Sequence, residues 1–138
     1  MDRKVIKYYR RLLKEGFGNA GTLENPSILL DTVGEKIRIC GHAADNHMYV
    51  YIAIAEDGTL SDCKYLCNCD PTANVVVEIF CSLIKGRTLS EVERLCVDDF
   101  INTLVTDDDK FLEKSKGILE LLNRGIKRYN LVKSDTPS

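Results

Sequence analysis

Apolar residues recur three and four positions apart in the opening stretch MDRKVIKYYRRLLK, with Val5, Ile6, Tyr9, Leu12 and Leu13 on one side. That period predicts an amphipathic helix from Asp2 to Lys14. Gly16 and Gly18 end it, since glycine takes the left-handed conformation that closes helices. From 19 to 35 the pattern lapses into loop, apart from a short apolar patch, SILLDTV, suited to an edge strand. The period then changes to two. HMYVYIAIAEDG alternates Met48, Val50, Ile52 and Ile54 against Tyr49, Tyr51, Ala53 and Ala55, and TLSDCKYLCNC continues after Asp57-Gly58, a pair typical of tight antiparallel hairpins. On that second strand, alternation puts Cys63, Tyr65, Cys67 and Cys69 on a common face.

From Asp70 onward the chain reads as helical. Asp70 is a good N-cap and Pro71 a good first helical residue. Ala73, Val76, Val77, Phe80, Cys81 and Ile84 form an apolar stripe that Gly86 closes. TLSE, Thr88 to Glu91, is a capping box that starts another helix, with Leu89, Val92, Leu95 and Cys96 on its buried side. A short helix follows around Asp98 to Leu104. A long one runs from Asp108 to Tyr129 and buries Phe111, Ser115, Ile118, Leu122 and Ile126. Strands followed by a run of helices predict an α+β fold, a small antiparallel sheet of about three strands packed against helices. Residues 1–130 read as one domain and 131–138 as a disordered tail.

Composition narrows the partners. With 138 residues and 44% hydrophobic content the chain can build its own core. A net charge of -2 gives no reason to expect nucleic acid or anionic membrane as the main partner. The basic residues of the first helix read as a solvated face rather than a recruitment surface. No stretch approaches the roughly 20 apolar residues of a membrane span, and no apolar core of a signal peptide follows Met1. A cytoplasmic location is therefore expected, with all six cysteines reduced.

Those cysteines are not equivalent. Cys81 and Cys96 lie on apolar stripes and Cys63 among core positions of a strand, so all three read as plain core. Cys67 and Cys69 instead end a strand just before a helix, whose N-terminus carries partial positive charge and unpaired N–H groups. That setting favours the thiolate, the form that binds metal or attacks electrophiles. The second candidate stretch is CGHAADNH, where Cys40 and His42 share the same spacing and Asp45 and His47 stand close by. Cysteine, histidine and carboxylate together suit zinc, or iron carried with sulfide.

In order and spacing these segments resemble the NifU/IscU family of iron–sulfur cluster assembly scaffolds, from about Val5 to Lys127. VIKYY resembles the family's opening helix and NAGTLEN its Asn-x-Gly loop. MYVYIAIAEDGTLSDCKY resembles its hairpin, and VVVEIFCSLIKGRTLSEVERL its helix, Lys-Gly turn and next helix. The resemblance implies an α+β domain with three cysteines and an aspartate at one end of the sheet. There a cysteine desulfurase delivers sulfur, and a cluster is built and passed to acceptor apoproteins; some members hold zinc. Cys40-Gly41-His42 matches the first two positions of the family's Cys-Gly-Asp motif. His42 stands in the place of the aspartate, and extra residues follow, so Asp45 is the alternative carboxylate. At the family's Gly-Cys-Gly motif the chain reads Asn68-Cys69-Asp70-Pro71. An ungapped count from the Asp57-Gly58 turn sets Asp70 at the motif cysteine, and a shift of one residue restores Cys69. N-capping already accounts for Asp70, so Cys69 with Cys67 is the better sulfur pair.

The third family cysteine has no counterpart. The region reads DDDKFLEKSKGILELL, without cysteine or Pro-Pro, and Lys116 falls near the expected position. This departure speaks against handover by the family's specialised chaperone. The reading is a scaffold-like protein, not an enzyme. It would bind iron, an iron–sulfur cluster or zinc through Cys40, Cys67 and Cys69, with His42, Asp45, His47 or Asp70 completing the shell; Cys40 and Cys69 are the expected cluster ligands. The alternatives are a metal-free interaction module of the same fold and a persulfide relay on Cys67 or Cys69. No nucleophile elbow, phosphate loop or dinucleotide-binding glycine motif is present in the sequence.

Overall fold

The computed structural model describes residues 2–32, 47–68 and 70–135. Among them are five helices and three strands in the order α1 (Arg3–Glu15), β1 (Ile28–Asp31), β2 (Met48–Ile54), β3 (Leu60–Cys67), α2 (Pro71–Ile84), α3 (Leu89–Glu93), α4 (Val97–Thr103) and α5 (Asp109–Asp135). The strands form one antiparallel sheet in the order β1-β2-β3. The fold is therefore α+β, as the pattern predicts, with SILLDTV supplying the edge strand.

Register follows the period of two. Val50 stands between Leu30 and Tyr65, and Ile52 between Ile28 and Cys63. All six are buried, and so is Met48, because one face of the sheet is covered by helices and alternate residues point to it. The far side of β3 is not left bare. Ala20 makes a parallel bridge to Tyr65, with Gly21 N–H donating to the Tyr65 carbonyl and Tyr65 N–H to the Asn19 carbonyl. A loop thus covers the hydrogen-bonding groups that would otherwise invite another chain.

Helix α2 occupies the centre, packing on β3, α1, α4 and α5. Its apolar residues are buried beyond the expected stripe: Val75 and Ile79 join Ala73, Val76, Val77, Phe80, Cys81 and Ile84. A helix apolar on every side is one enclosed on every side. The caps are those the sequence predicts. Asp70 accepts from Ala73 N–H, and Thr88 and Glu91 exchange the two bonds of a capping box.

Four expectations are corrected. Leu13 is 58% exposed, because only Val5 and Leu12 of α1 are fully buried. Cys96 is exposed rather than core. Helix α3 ends before it, and Cys96 becomes the extended N-cap residue of α4, its N–H donating to Asp99. Leu89 and Leu95 are half-buried. Finally, α5 runs on to Asp135, into the stretch expected as a tail; residues 136–138 lie outside the described residues.

Two positions fix the ends of the helical layer. At Asp2 one carboxylate oxygen caps α1 through Lys4 and Val5 N–H and also accepts the Thr106 hydroxyl at 2.9 Å. That hydroxyl, ahead of the backbone donors, holds the Asp2 carboxyl below the usual range. Its folded pKa is depressed, so its stabilisation is full above the ordinary aspartate range and is lost as pH falls through the lowered value. In Thr106→Val, Asp2 should titrate at higher pH by NMR; an unmoved titration would acquit the hydroxyl. At Gly125, α5 crosses β1 so closely that a Cβ would overlap the Leu30 side chain and press on Ile28. Gly125→Ala should cost about 1–3 kcal/mol by overpacking, more than the roughly 1 kcal/mol of helix propensity it gains. Urea unfolding measures the balance, and a variant more stable than the parent would mean that the two elements separate freely.

Candidate functional site

Antiparallel pairing brings the end of β1, the start of β2 and the end of β3 to one end of the sheet. Thr32 N–H donates to the Met48 carbonyl at 3.1 Å and Met48 N–H to the Thr32 hydroxyl at 2.9 Å. Met48 pairs with Cys67. One step further, His47 N–H donates to the Asn68 side chain at 2.8 Å, and Asn68 N–H returns to the His47 carbonyl at 3.4 Å. The His47 ring meets Tyr49 edge-on, 5.0 Å between centroids. Cys67 is half-buried against the core, and α2 starts just beyond it with Asp70 as its cap.

His47, Cys67 and Asp70 thus share this end. Cys40, His42, Asp45 and Cys69, the other candidate ligands, lie outside the described residues. Their described flanks, Thr32 with His47 and Asn68 with Asp70, all stand here. Among the described residues no group of three or more His, Cys, Asp or Glu side chains is placed to hold a metal ion.

One member differs from expectation and another is more fully engaged than its cap alone requires. Cys67 is disulfide-bonded, where a reduced thiol was expected. A sulfur in a disulfide is not a thiolate and ligates metal only after reduction. Asp70 has both oxygens engaged, one by Ala73 N–H at 2.8 Å and the other by the Lys114 ammonium at 3.4 Å. Lys114 is buried on the inner face of α5 beside Phe111, Ser115 and Ile118, whereas Lys116, the residue nearest the family's third cysteine, is exposed. The helical period decides between them: 111, 114, 115 and 118 share a face and 116 does not.

Sequence reasoning missed a second polar group, under the centre of β3. Glu78 of α2 is buried; one oxygen accepts Asn19 N–H at 3.0 Å and the other has no partner. The Asn19 amide donates to the Glu78 carbonyl at 3.1 Å and to Ser82 at 3.0 Å, while its oxygen accepts from Lys85. Lys85 also reaches Asp62 at 3.6 Å. Burial, then Glu78, pushes the Tyr65 phenol well up, and its hydroxyl has no geometric partner. The signal was present: a lone carboxylate interrupts the apolar run NVVVEIF.

Among known proteins, no family model and no curated protein matches this chain. Among solved structures, it is similar to a nitrogen-fixing NifU-like protein (N-terminal) from Brucella abortus, with 13% identity, 94% of this chain and 83% of that chain covered, and a TM-score of 0.49. That likeness concerns the course of the backbone alone. No helix among the described residues is long and apolar enough to cross a membrane.

The two duties of Asp70 are separable by substitution. Asp70→Ala removes the cap and should cost about 1 kcal/mol. Asp70→Asn keeps the cap, since asparagine caps as well as aspartate, and should stay near the parent in thermal melting. Equal losses in both would put the ion pair with Lys114, not the cap, in charge of this turn.

Proposed function

We propose that this chain is a scaffold-like protein that carries iron, an iron–sulfur cluster or zinc on thiolates at one end of its sheet. Cys40, Cys67 and Cys69 supply the sulfurs, and His42, Asp45 or His47 completes the shell. Asp70 is a helix cap first and a ligand only if Lys114 releases it. The observation that carries the reading is topological. Cys67 pairs with Met48, next in sequence to His47, and the flanks of both remaining ligand-bearing stretches meet at the same end of the sheet. The resemblance of the sequence motifs to cluster-assembly scaffolds supplies the chemical class.

The metal or cluster is cargo here, and the chain holds it without turning it over. Thiolate ligands must lose their protons, and the positive end of α2 lowers the cost of that charge. Four donors from Cys and His satisfy zinc or an iron–sulfur centre. A cysteine desulfurase as sulfur donor and apoproteins as acceptors follow from the resemblance and belong to this proposal. So does a cytoplasmic setting, where Cys67 would be reduced.

Reduction is the first requirement. Protein kept oxidised should bind no zinc and reconstitute no cluster from ferrous iron and sulfide. Protein reduced with dithiothreitol without oxygen should bind metal stoichiometrically, by elemental analysis and sulfide-to-iron absorption. Cys69→Ser and Cys40→Ser should each lose most of it. Full metal in both variants, or none in the reduced parent, would end the reading.

A further inference from the structure

Cys63 of β3 and Cys81 of α2 face each other across the sheet–helix interface. Their Sγ atoms are 3.1 Å apart and neither residue is exposed. Both are free thiols. The gap is about 1 Å longer than a disulfide bond, a close approach for sulfurs that are not bonded. Their surroundings are not wholly apolar. Glu78 precedes Cys81 by nearly one turn and Lys85 follows it by one, and both act on its thiol electrostatically. Asp62, beside Cys63 in sequence, pairs with Lys85, and both reach solvent. Two polar atoms here, the second Glu78 oxygen and the Tyr65 hydroxyl, are buried without partners.

We propose that Cys63 and Cys81 are a latent dithiol that hydrogen peroxide converts into an internal disulfide, a redox-modification site separate from the candidate metal site. It stands whether or not that site holds metal. One thiol attacks peroxide, the O–O bond breaks, and a sulfenic acid and water form. The second thiol then attacks the sulfenic sulfur and expels a second water as the S–S bond closes. Two electrons pass from the dithiol to the peroxide, and the two thiol protons leave in the waters. Burial, then the neighbouring Cys63 thiol, pushes the Cys81 thiol well up. Cys81 therefore stays protonated at neutral pH, and the dithiol reacts only when the interface opens briefly or the oxidant load is high. Once closed, the bond encloses 63–81, the segment that contains Cys67, Cys69 and Asp70. It ties the strand before the candidate site to the helix after it, restricting the unfolded chain and raising stability.

Mass spectrometry can test this on the full, unmodified chain. The protein is reduced, freed of reductant, exposed to graded hydrogen peroxide, alkylated in denaturant, and cut with trypsin and a protease that cleaves before aspartate. Cys63, Cys81 and the Cys67/Cys69 pair then fall on separate peptides, 62–64, 70–85 and 65–69, and Cys40 on 39–44. The expected product joins 62–64 to 70–85. Its yield should rise with dose in protein that still melts cooperatively, with a melting temperature several degrees higher that dithiothreitol restores. Cys81→Ser should lose this product while oxidation at Cys67 persists; if it misfolds, Cys63→Ala serves the same purpose. Separate alkylated 62–64 and 70–85 peptides at doses that oxidise Cys67, or a link found only after cooperative melting is lost, would overturn the proposal.

Discussion

The burial of α2 on every side is the constraint on which the rest of the structure depends. Each of its buried Val, Ile and Phe side chains contributes on the order of 1.5–3 kcal/mol, against about 1 kcal/mol for a cap. Placement of this helix is therefore settled by packing, and its caps then follow. With α2 fixed between β3 and α5, its N-terminus is delivered to the end of the sheet where Cys67 and His47 stand. The candidate site is thus a consequence of the core. Its helix end is held by the most deeply packed element among the described residues, while Cys67 and His47 stand at strand ends.

The same burial creates a liability. Glu78 is carried inward with the apolar residues of α2, and one of its oxygens finds no partner. The structure offsets this by drawing the 19–21 loop over β3. Asn19 binds Glu78, Ser82 and Lys85 at once, and its neighbours close the open edge of the strand. One asparagine therefore links the helix, the strand and the loop. The cost of a buried carboxylate is spread over a network that also protects an edge. In the same layer Cys63 meets Cys81, so polar and sulfur chemistry share the interface that holds the fold together.

Charge is arranged differently at the site. Lys114 reaches from the inner face of α5 to Asp70, placing a cation beside the first turn of α2, where the helix end is already positive. Such a setting favours an anion, and the Asp70 carboxylate is the anion that meets it. Asp70 engages both the helix and the lysine, which is why the aspartate reads better as part of the frame than as a ligand.

What could be read from the chain alone was local. The hairpin, the Asp70 and Thr88 caps, the stripe of α5 and the edge strand rest on periods of two and 3.6 and on single turn residues. Those signals lie within a few positions of each other. The limits of the reading have the same origin. Cys96 looked buried because the pattern continued past Glu93, and only the early end of α3 exposed it. Lys114, not Lys116, faces Asp70 because α5 packs with a particular rotation. The apposition of Cys63 and Cys81 joins residues of two elements whose spacing is set by volume and shape, and no sequence period records that. The sequence by itself determined which elements form and which cysteines end a strand before a helix. Only the tertiary structure decided which side chains meet, because contacts between elements depend on how cores fill, and filling is a property of the whole chain.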